Sequence, residues 1–266
     1  MSHHESSLKA QFYLTAPQPC AYLDGREERK VFTTLNGGSA ISVNNSLSHK
    51  GFRRSQSVIY RPACVGCSAC MSIRIPVSAF APNRTQRKLI RRNEDLIRRP
   101  CEAWATETQF ALFRRYLNER HADGGMADMD AFDYASMVDE TPVNSMVVEY
   151  IGRDPETGTE RLIAACLSDV LADGLSMVYS FFDPEEEPRS LGSFMILDHI
   201  AMAREMGLDY VYLGYWVSGS QKMDYKIGYK PFELCDGSRW HRFSERDEIK
   251  DWQTRRLQVL QDRLLG

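Results

Sequence analysis

The chain has 266 residues, a formal net charge of -3 and 43% hydrophobic residues, so it is a globular protein with enough length for one large or two modest cores. No apolar run reaches the roughly 18 residues that a membrane helix needs, which argues against a membrane protein. The opening residues lack the basic region and apolar core of a signal peptide, and we therefore expect a cytoplasmic protein without a membrane partner.

Charge is divided unevenly along the chain. Residues 1–100 contain 16 Lys and Arg against 6 Asp and Glu, whereas residues 101–266 contain 17 against 30. A basic first region can attract a polyanion, or it can be neutralised by the acidic second region. We predict a small, basic, cysteine-containing α+β domain at 1–100 and a second domain at 101–266.

The first region has weak patterns of secondary structure. Residues 33–52 are rich in turn-forming residues and predict only short strands. Farther along, residues 84–99 contain seven basic and two acidic residues and predict an exposed basic helix or arm. Its candidate nucleic-acid contacts are Arg87, Lys88, Arg91 and Arg92.

Four cysteines are candidates for a metal site. Cys64, Cys67 and Cys70 have the spacing C-x-x-C-x-x-C, and Cys20 lies upstream. In a reducing compartment clustered thiols indicate metal binding or catalysis rather than disulfides, and four of them would complete a zinc or iron–sulfur site. The spacing differs from that of zinc ribbons, so two alternatives stay open: small buried side chains in a tight turn, or a nucleophilic thiol.

The strand predicted at 71–77 carries an arginine among apolar residues. Its isoleucines and valine share one face, which predicts that Arg74 points away from the core. A guanidinium in that position can pair with a carboxylate, and Arg53 and Arg54 offer the same chemistry. The alternative for each is an ordinary surface arginine.

The second region has clearer periodicity. Apolar residues at helical spacing predict helices at 107–121 and 130–140, and alternating runs predict three strands in an antiparallel meander. These strands are predicted at 143–152, 161–170 and 175–183. A loop then leads into a helix at 191–207, for which Ser190 is the predicted cap and Gly207 the stop, and a buried strand follows at 208–216.

A meander followed by a loop, a helix and a returning strand resembles the GNAT architecture of N-acetyltransferases. That resemblance implies that the loop entering the helix binds donor phosphates through backbone N–H groups and the helix dipole. Arg189, Ser190 and Gly192 would serve this purpose here. The alternative is that the helix is simply well capped.

Lysines alternate with aromatic residues after the last strand. Lys222 and Lys226 recur at a spacing of four residues, next to Tyr225 and downstream of Tyr215. Cations neutralise phosphates and rings stack on bases, so the segment favours a single-stranded nucleic-acid end. Alternatively, the rings cover the core and the lysines are solvated.

Several quoted motifs together resemble the arginyl-tRNA–protein transferase family. They include CAYLDGREERKVFTTL, GFRRSQSVIYRPACVGCSAC, IRIPVSAFAPNRTQRKLIRRN, SMVYSFFDPEEEPRSLGSF and YVYLGYWVSGSQKMDYKIGYKPFEL, and they extend over nearly the whole chain. The compact length and the CAYLDGR motif are similar to the bacterial branch, which transfers leucine. The sequence departs from the family's N-terminal cysteine pair, since Leu23 stands in the second place.

The resemblance implies transfer of leucine from leucyl-tRNA to proteins that begin with Asp or Glu, which marks them for the N-degron pathway. Aminolysis of an ester requires no cofactor, and a metal at the cysteines stays a separate hypothesis.

We expect Arg74, with Arg53 or Arg54, to bind the acceptor carboxylate. For handling of the amine the first candidates are Asp183 and Tyr179, and further ones are Glu149 and Asp169. The predicted tRNA contacts are Arg189, Ser190, Gly192, Tyr215, Lys222, Tyr225, Lys226 and the basic segment at 84–99.

Three other functions remain open at this stage. Arginyl transfer would use the same scaffold, because scattered residues form the aminoacyl pocket. An acetyl-CoA-dependent N-acetyltransferase would share the fold, but it would leave the lysine-rich and basic segments without a role. A non-catalytic, metal-containing RNA-binding protein would bind metal stoichiometrically and transfer nothing.

Overall fold

The computed structural model describes residues 11–120, 126, 128–154 and 156–254. The opening ten residues, His121 at the end of a predicted helix and Pro155 in a predicted turn lie outside the described residues. No helix in the part of the chain that is described is long and apolar enough to cross a membrane.

Helices and strands alternate irregularly along these residues. The α-helices are α1 (Ala40–His49), α2 (Arg84–Arg92), α3 (Glu107–Arg120), α4 (Ala131–Asp139) and α5 (Leu191–Glu205), and residues 246–254 are also helical. The strands are β1 (Tyr13–Leu14), β2 (Gln18–Pro19), β3 (Glu27–Glu28), β4 (Lys30–Thr34), β5 (Arg53–Ser55), β6 (Val58–Pro62), β7 (Cys70–Pro76), β8 (Ile97–Glu102), β9 (Ser145–Arg153), β10 (Glu160–Val170), β11 (Gly174–Phe182), β12 (Tyr210–Val217), β13 (Phe232–Cys235) and β14 (Trp240–Phe243).

A mixed sheet of eight strands forms the centre of the fold. Its order is β14-β13-β7-β12-β11-β10-β9-β8, in which β11 and β12 are parallel and every other neighbouring pair is antiparallel. The predicted meander is confirmed as β9, β10 and β11, and the predicted helix after it is confirmed as α5. The mixed α+β class is therefore confirmed.

Both faces of the large sheet are covered. Helix α5 packs on one face, where its buried side chains join those of β7 and β12 in the main core. Helices α3 and α4 cover the other face over β9, β10 and β11. Because a sheet covered on both sides leaves no solvent-facing side, polar side chains on its central strands must find partners within the protein.

Strands from both sides of residue 100 contribute to this sheet. Strand β7 lies between β12 and β13, and β8, which contains Pro100, forms one edge. Basic residues of the first region also pair with acidic residues of the second, as in Arg98 with Asp198 and Arg99 with Glu160. The structure thus supports neutralisation between the two regions, the alternative to polyanion binding for part of the basic charge.

A second sheet, with the order β1-β4-β6-β5, lies in the first region, where β2 and β3 form a separate pair. Residues 33–52 were predicted to form only short strands, and this prediction is wrong, because they contain α1. Ala40 and Leu47 of this helix are buried in a small core with Phe52 and Ile59. The Ser and Asn residues of α1 have modest helix propensity, so tertiary packing outweighs the local pattern.

One buried ion pair ties the two sheets together. Arg54 of β5 donates two hydrogen bonds of 2.6 Å to the carboxylate of Asp169 in β10, and both side chains are 1% exposed. The Ser145 hydroxyl donates to the same carboxylate. Strand β5 is therefore fixed to the large sheet by a geometry that satisfies both ions.

Removal of one partner of this ion pair should lower the free energy of unfolding. Arg54→Met leaves the Asp169 carboxylate buried without its counter-ion, and we expect a loss of about 3–5 kcal/mol in the free energy of unfolding. Urea unfolding followed by tryptophan fluorescence measures the loss. The matched control is Arg99→Met at the exposed pair, where we expect no resolvable change. Equal effects of the two substitutions would contradict this account of β5.

Candidate functional site

The parallel pair β11 and β12 separates along its length. Its register runs from Gly174 opposite Tyr210 to Ser176 opposite Tyr212 and extends no farther among the described residues. A register shift between β10 and β11 leaves Val178 as an additional residue, which is a β-bulge. Beyond this point the facing backbone groups of β11 and β12 diverge, and a gap opens between the strands.

A cavity of about 680 Å³ occupies this gap. Its walls come from β11, the beginning of α5, the 3-10 segment Gln221–Gly228, α3 and β5. The lining residues are Arg53, Tyr116, Arg120, Met177, Val178, Tyr179, Ser180, Phe182, Glu187, Ser190, Leu191, Gly192, Ser193, Ile196, Leu213, Met223, Tyr225 and Lys226. Apolar walls with a few cations and hydroxyls are typical of a ligand site.

The amino end of α5 faces this cavity. Ser190 takes a left-handed conformation with φ of 50°, and its side chain makes no capping hydrogen bond within the described structure. The prediction that Ser190 caps the helix through its side chain is therefore wrong, although it does occupy the N-cap position. The first N–H groups of a helix have no partner inside the helix, so those of Leu191 and Gly192 are placed to bind an anion or carbonyl oxygen.

Arg53 occupies the point where β11 and β12 separate. Its Nη2 donates a hydrogen bond of 2.5 Å to the carbonyl oxygen of Val178, and a side chain at Gly214 would collide with its guanidinium. Gly214 has φ of 74°, a conformation that favours glycine. Arg53 also lines a neighbouring cavity of about 470 Å³, which shares Val178 and Tyr179 with the first. One guanidinium therefore borders two cavities that meet at the bulge.

Lys226 is buried, whereas the sequence predicted a lysine that neutralises phosphates or, as the alternative, one that is solvated on an amphipathic segment. Its side chain is 5% exposed, and Nζ donates a hydrogen bond of 2.7 Å to the carbonyl oxygen of Tyr215. Burial, with a smaller contribution from Arg53, lowers the pKa of Lys226 to about 7. Tyr225 is half exposed at the same cavity and Lys222 is exposed, as stacking on a base and contact with a phosphate require.

Tyr215 does not have the predicted accessibility. It is 6% exposed, and its hydroxyl lies 3.0 Å from the carbonyl oxygen of Gly51 and 2.9 Å from that of Tyr60. Its ring therefore cannot stack on a base, and the prediction of Tyr215 as a tRNA contact is wrong. The alternative stated for this segment, that rings cover the core, holds for this residue.

Arg74 lies on the face opposite its isoleucines, as predicted, but that face is covered, so the prediction of an accessible guanidinium is wrong. Its side chain is 4% exposed, and its Nε donates a hydrogen bond of 2.9 Å to Glu233 of β13. The guanidinium also lies over the ring of Tyr210, 3.5 Å from the centroid, and over that of Trp240. Because its carboxylate partner comes from its own sheet, Arg74 does not fit the role of acceptor binding.

Arg54 is also paired with a carboxylate of the protein. Its bidentate pair with Asp169 leaves neither group open to a ligand, so the predictions of Arg54 as an acceptor contact and of Asp169 in amine handling are wrong. Arg53, its neighbour in β5, does reach the cavity. A strand turns successive side chains to opposite faces, which explains why adjacent arginines differ in this way.

Asp183 is part of the scaffold. Its carboxylate is fully buried, pairs with Arg161 at 2.9 Å and Arg115 at 3.3 Å, and accepts the N–H of Glu185 at the start of a 3-10 turn. The prediction of Asp183 as a catalytic residue therefore does not fit its surroundings, in which the carboxylate stabilises a turn.

Two further candidates for amine handling differ in position. Glu149 accepts a hydrogen bond from Gln109 of α3, and it is absent from the lining of the cavity. Tyr179, by contrast, lies at the bulge and lines both cavities. Burial raises the pKa of the Tyr179 phenol, so this group is protonated at neutral pH. Its catalytic role stays a prediction.

The phosphate contact of Arg189 stays a prediction, and its side chain is already paired with protein carboxylates. Two hydrogen bonds of 2.8 and 2.9 Å join it to the carboxylate of Asp95, and a third contact joins it to Glu186. The Arg189 guanidinium holds the pKa of Asp95 below its usual value. The loop that enters α5 is therefore fixed by a protein carboxylate.

Helix α2 presents the predicted basic surface. A capping box formed by Asn83 and Gln86 begins the helix, and its basic residues are exposed. Arg92 donates to the carbonyl oxygen of Pro188, which places the end of α2 beside the loop that enters α5. The exposed cations are Arg84, Arg87, Lys88, Arg91 and Arg92. The prediction of an exposed basic helix is confirmed over Arg84–Arg92. The last residues of the predicted segment belong to β8 instead.

The four predicted thiols come to the wall of one small cavity of about 100 Å³. No three His, Cys, Asp or Glu side chains among the described residues are placed to hold a metal ion, so Cys20, Cys64, Cys67 and Cys70 do not form the predicted site here. Cys64 instead contacts the backbone of Arg29. Burial, with smaller contributions from neighbouring thiols, raises the pKa of Cys70 to about 12, which makes a poor nucleophile at neutral pH.

Some residues of the cavity were missing from the sequence analysis. Tyr116 and Arg120 reach it from α3, and Met223 reaches it from the 3-10 segment. Helical spacing indicated that α3 packs on the sheet, but it cannot show that the same helix borders a gap between two strands.

Comparison with known proteins gives consistent matches along the chain. Residues 18–88 match the family model described as the N terminus of arginine-tRNA-protein transferase, and residues 108–236 match its C terminus. A relative from Cereibacter sphaeroides (strain ATCC 17029 / ATH 2.4.9), named aspartate/glutamate leucyltransferase, is 58% identical over 89% of this chain and 85% of its own. A relative of the same name from Ruegeria sp. (strain TM1040) is 60% identical over 89% of this chain and 85% of its own.

Solved structures give weaker matches. FemX aligns with a TM-score of 0.49 at 10% identity, over 82% of this chain and 71% of that chain. L-PGS from Bacillus licheniformis aligns with a TM-score of 0.47 at 10% identity, over 88% of this chain and 82% of that chain.

Proposed function

Because the chain belongs to the arginine-tRNA-protein transferase family, we propose that it transfers leucine from leucyl-tRNA to the N-terminal amine of proteins beginning with Asp or Glu. The product carries an N-terminal leucine that marks it for the N-degron pathway. Its relatives are named aspartate/glutamate leucyltransferase, and this name supports leucine as the transferred residue and Asp or Glu as the acceptors. The observation that carries the proposal in this structure is the cavity at the separation of β11 and β12, with Arg53 between it and a second cavity.

The arrangement of β9 to β12 with α5 supports a GNAT-like acyl-transfer core. Three antiparallel strands lead into a helix that returns to a strand parallel to β11, and the two parallel strands separate at a bulge. Exposed backbone N–H groups at such a separation can hold the carbonyl oxygen of a donor, where negative charge develops during acyl transfer. Pre-formed donors of this kind require no cofactor.

The first cavity suits the aminoacylated 3′ end of tRNA. The end of α5 near Ser190 and Gly192 offers backbone N–H groups to a phosphate, and the half-exposed ring of Tyr225 can stack on a terminal base. Lys222 lies on the same 3-10 segment, exposed to solvent. Helix α2 extends this basic surface beyond the cavity, in position for the acceptor stem.

Arg53 is suited to bind the side-chain carboxylate of the acceptor. Its Nη2 is held by Val178, while its guanidinium borders both cavities. A carboxylate on that fork would place the acceptor's α-amine near the bulge, next to the donor ester. Aminolysis of an activated ester depends chiefly on such positioning. Both substrates belong to the cytoplasm, which is where we place the reaction.

A transfer assay tests the function directly. Purified protein is incubated with labelled leucyl-tRNA or arginyl-tRNA and with matched peptides that begin with Asp, Glu, Lys or Ala. We expect label to move from leucyl-tRNA to the Asp and Glu peptides alone. Movement from arginyl-tRNA would reverse the donor assignment. Transfer of acetyl groups from acetyl-CoA, or binding of RNA without any transfer, would contradict the proposal.

Arg53→Gln tests the acceptor site. The loss of a charged hydrogen bond to a carboxylate is worth about 1.5–3 kcal/mol, so we expect KM for Asp and Glu peptides to rise about 10- to 100-fold. Preference over peptides that begin with Asn or Gln should fall by a similar factor. The matched control is Arg61→Gln, because Arg61 lies on the adjacent strand over the ring of Phe52 and lines a different cavity. A uniform loss for all acceptors would refute the assignment.

Substitutions in α2 test the tRNA surface. Lys88→Gln and Arg91→Gln each remove an exposed cation, and each should weaken tRNA binding and lower the slope of log K against log salt by about 0.7–0.9. Filter binding over a salt series measures this slope. Arg26→Gln, in the turn before β3, serves as a control of equal charge. Unchanged slopes for both α2 variants would exclude this helix from the tRNA interface.

A further inference from the structure

A buried lysine reaches the place where the proposed reaction would occur. Lys226 lies in the 3-10 segment Gln221–Gly228 and is 5% exposed, while the following residue, Ile227, is packed in the main core. Its Nζ donates to the carbonyl oxygen of Tyr215, and the residue lines the cavity. This anchoring gives the amine a fixed position beside the separated strands.

The charged and titratable groups around Lys226 do not include a carboxylate partner. Arg53 approaches from β5, and the ring of Tyr225 lies 5.9 Å from Nζ in the same segment. Other walls contribute Tyr179 from β11, Tyr116 and Arg120 from α3, and Glu187, which pairs with Arg120. Among the described residues no acidic side chain forms an ion pair with Lys226. A buried cation without an anion is disfavoured, so the neutral amine is accessible near neutral pH.

We propose that Lys226 is the proton shuttle of leucyl transfer. As the α-amine nitrogen of the acceptor bonds to the carbonyl carbon of the leucyl ester, the neutral Lys226 amine takes the proton that this nitrogen releases. It then delivers the same proton to the 3′ oxygen of the ribose as the bond between that oxygen and the carbonyl carbon breaks. Lys226 ends in its starting state, and a peptide bond and a free 3′ hydroxyl are formed.

A shuttle and a phosphate contact require opposite forms of the same side chain. A lysine that binds phosphate must be charged, so its contribution declines as pH rises through its pKa. A general base must be neutral, so its contribution increases with pH over the same range. Since the folded pKa of about 7 is below that of a free lysine, the neutral form is well populated where the enzyme works.

The pH dependence of kcat/KM separates the two roles. The acceptor's own α-amine must also be neutral, and it titrates near 7.7–8.0. If Lys226 is the base, log kcat/KM for an Asp peptide at saturating leucyl-tRNA should rise with a slope approaching two at low pH. In Lys226→Met the slope should fall to one, with a loss of about 10²- to 10⁴-fold in kcat.

Two further variants complete the experiment. Lys226→Arg keeps a permanent charge, so we expect it to bind tRNA as the wild type does and to transfer leucine as poorly as Lys226→Met. Lys230→Met is the matched control, because Lys230 is exposed in the same part of the chain and pairs with Glu245. It should retain the wild-type slope and rate.

Each outcome either supports or overturns the shuttle. A wild-type slope of one, set by the acceptor amine alone, overturns it even if the Met variant does not fold. A Lys226→Arg variant with the wild-type rate overturns it as well. The inference rests on the proposed function, whose failure is distinguishable, because it would appear as a wild-type protein that transfers no leucine at any pH.

Discussion

The placement of the site depends on the buried ion pair between Arg54 and Asp169. This pair fixes the short strand β5 against the large sheet, and the pleat of the strand then turns the preceding side chain, Arg53, to the opposite face. Arg53 thereby meets the carbonyl oxygen of Val178 at the separation of β11 and β12. Arg54 thus supplies the geometry that brings Arg53 to the cavity, so the proposed acceptor site combines a residue of the first region with a cavity opened by strands of the second.

The distribution of carboxylates explains the character of this site. Asp183 is paired with two arginines, Asp169 with Arg54, and Glu233 with Arg74, all under near-complete burial. These acids neutralise the framework, and the one carboxylate among the cavity's described lining residues, Glu187, is paired with Arg120. Such a cavity suits the polyanionic donor and the acidic acceptor that we propose, but its described lining offers no unpaired carboxylate base. The proton of the attacking amine then has to be accommodated by another kind of group.

The sequence predicted the secondary-structure elements better than it predicted the surroundings of individual side chains. Strands β9 to β11 and helix α5 have strong apolar periodicity, and they were predicted within a few residues. Helix α1 was missed because its Ser and Asn residues have modest helix propensity and packing in a small core stabilises it. Alternation along β7 correctly assigned Arg74 to the face opposite its isoleucines. It could not show that Glu233 and aromatic rings cover this guanidinium, since those side chains come from residues far along the chain. The same limit explains why the sequence did not reveal the pairing of Arg189 or the burial of Tyr215.

Departures from regular backbone geometry mark the site more clearly than its side-chain types do. The bulge at Val178, the left-handed residues Ser190 and Gly214, and the separation of two parallel strands all occur around one cavity. Each of these irregularities loses a local hydrogen bond or raises the conformational energy of the backbone. Such conformations persist only where the surrounding fold enforces them. The segment PRSLGS gave a hint of irregularity at Ser190. That these irregularities converge follows only from the topology, which brings β11, β12 and α5 to one point and so creates an opening for substrates within a sheet that is otherwise covered.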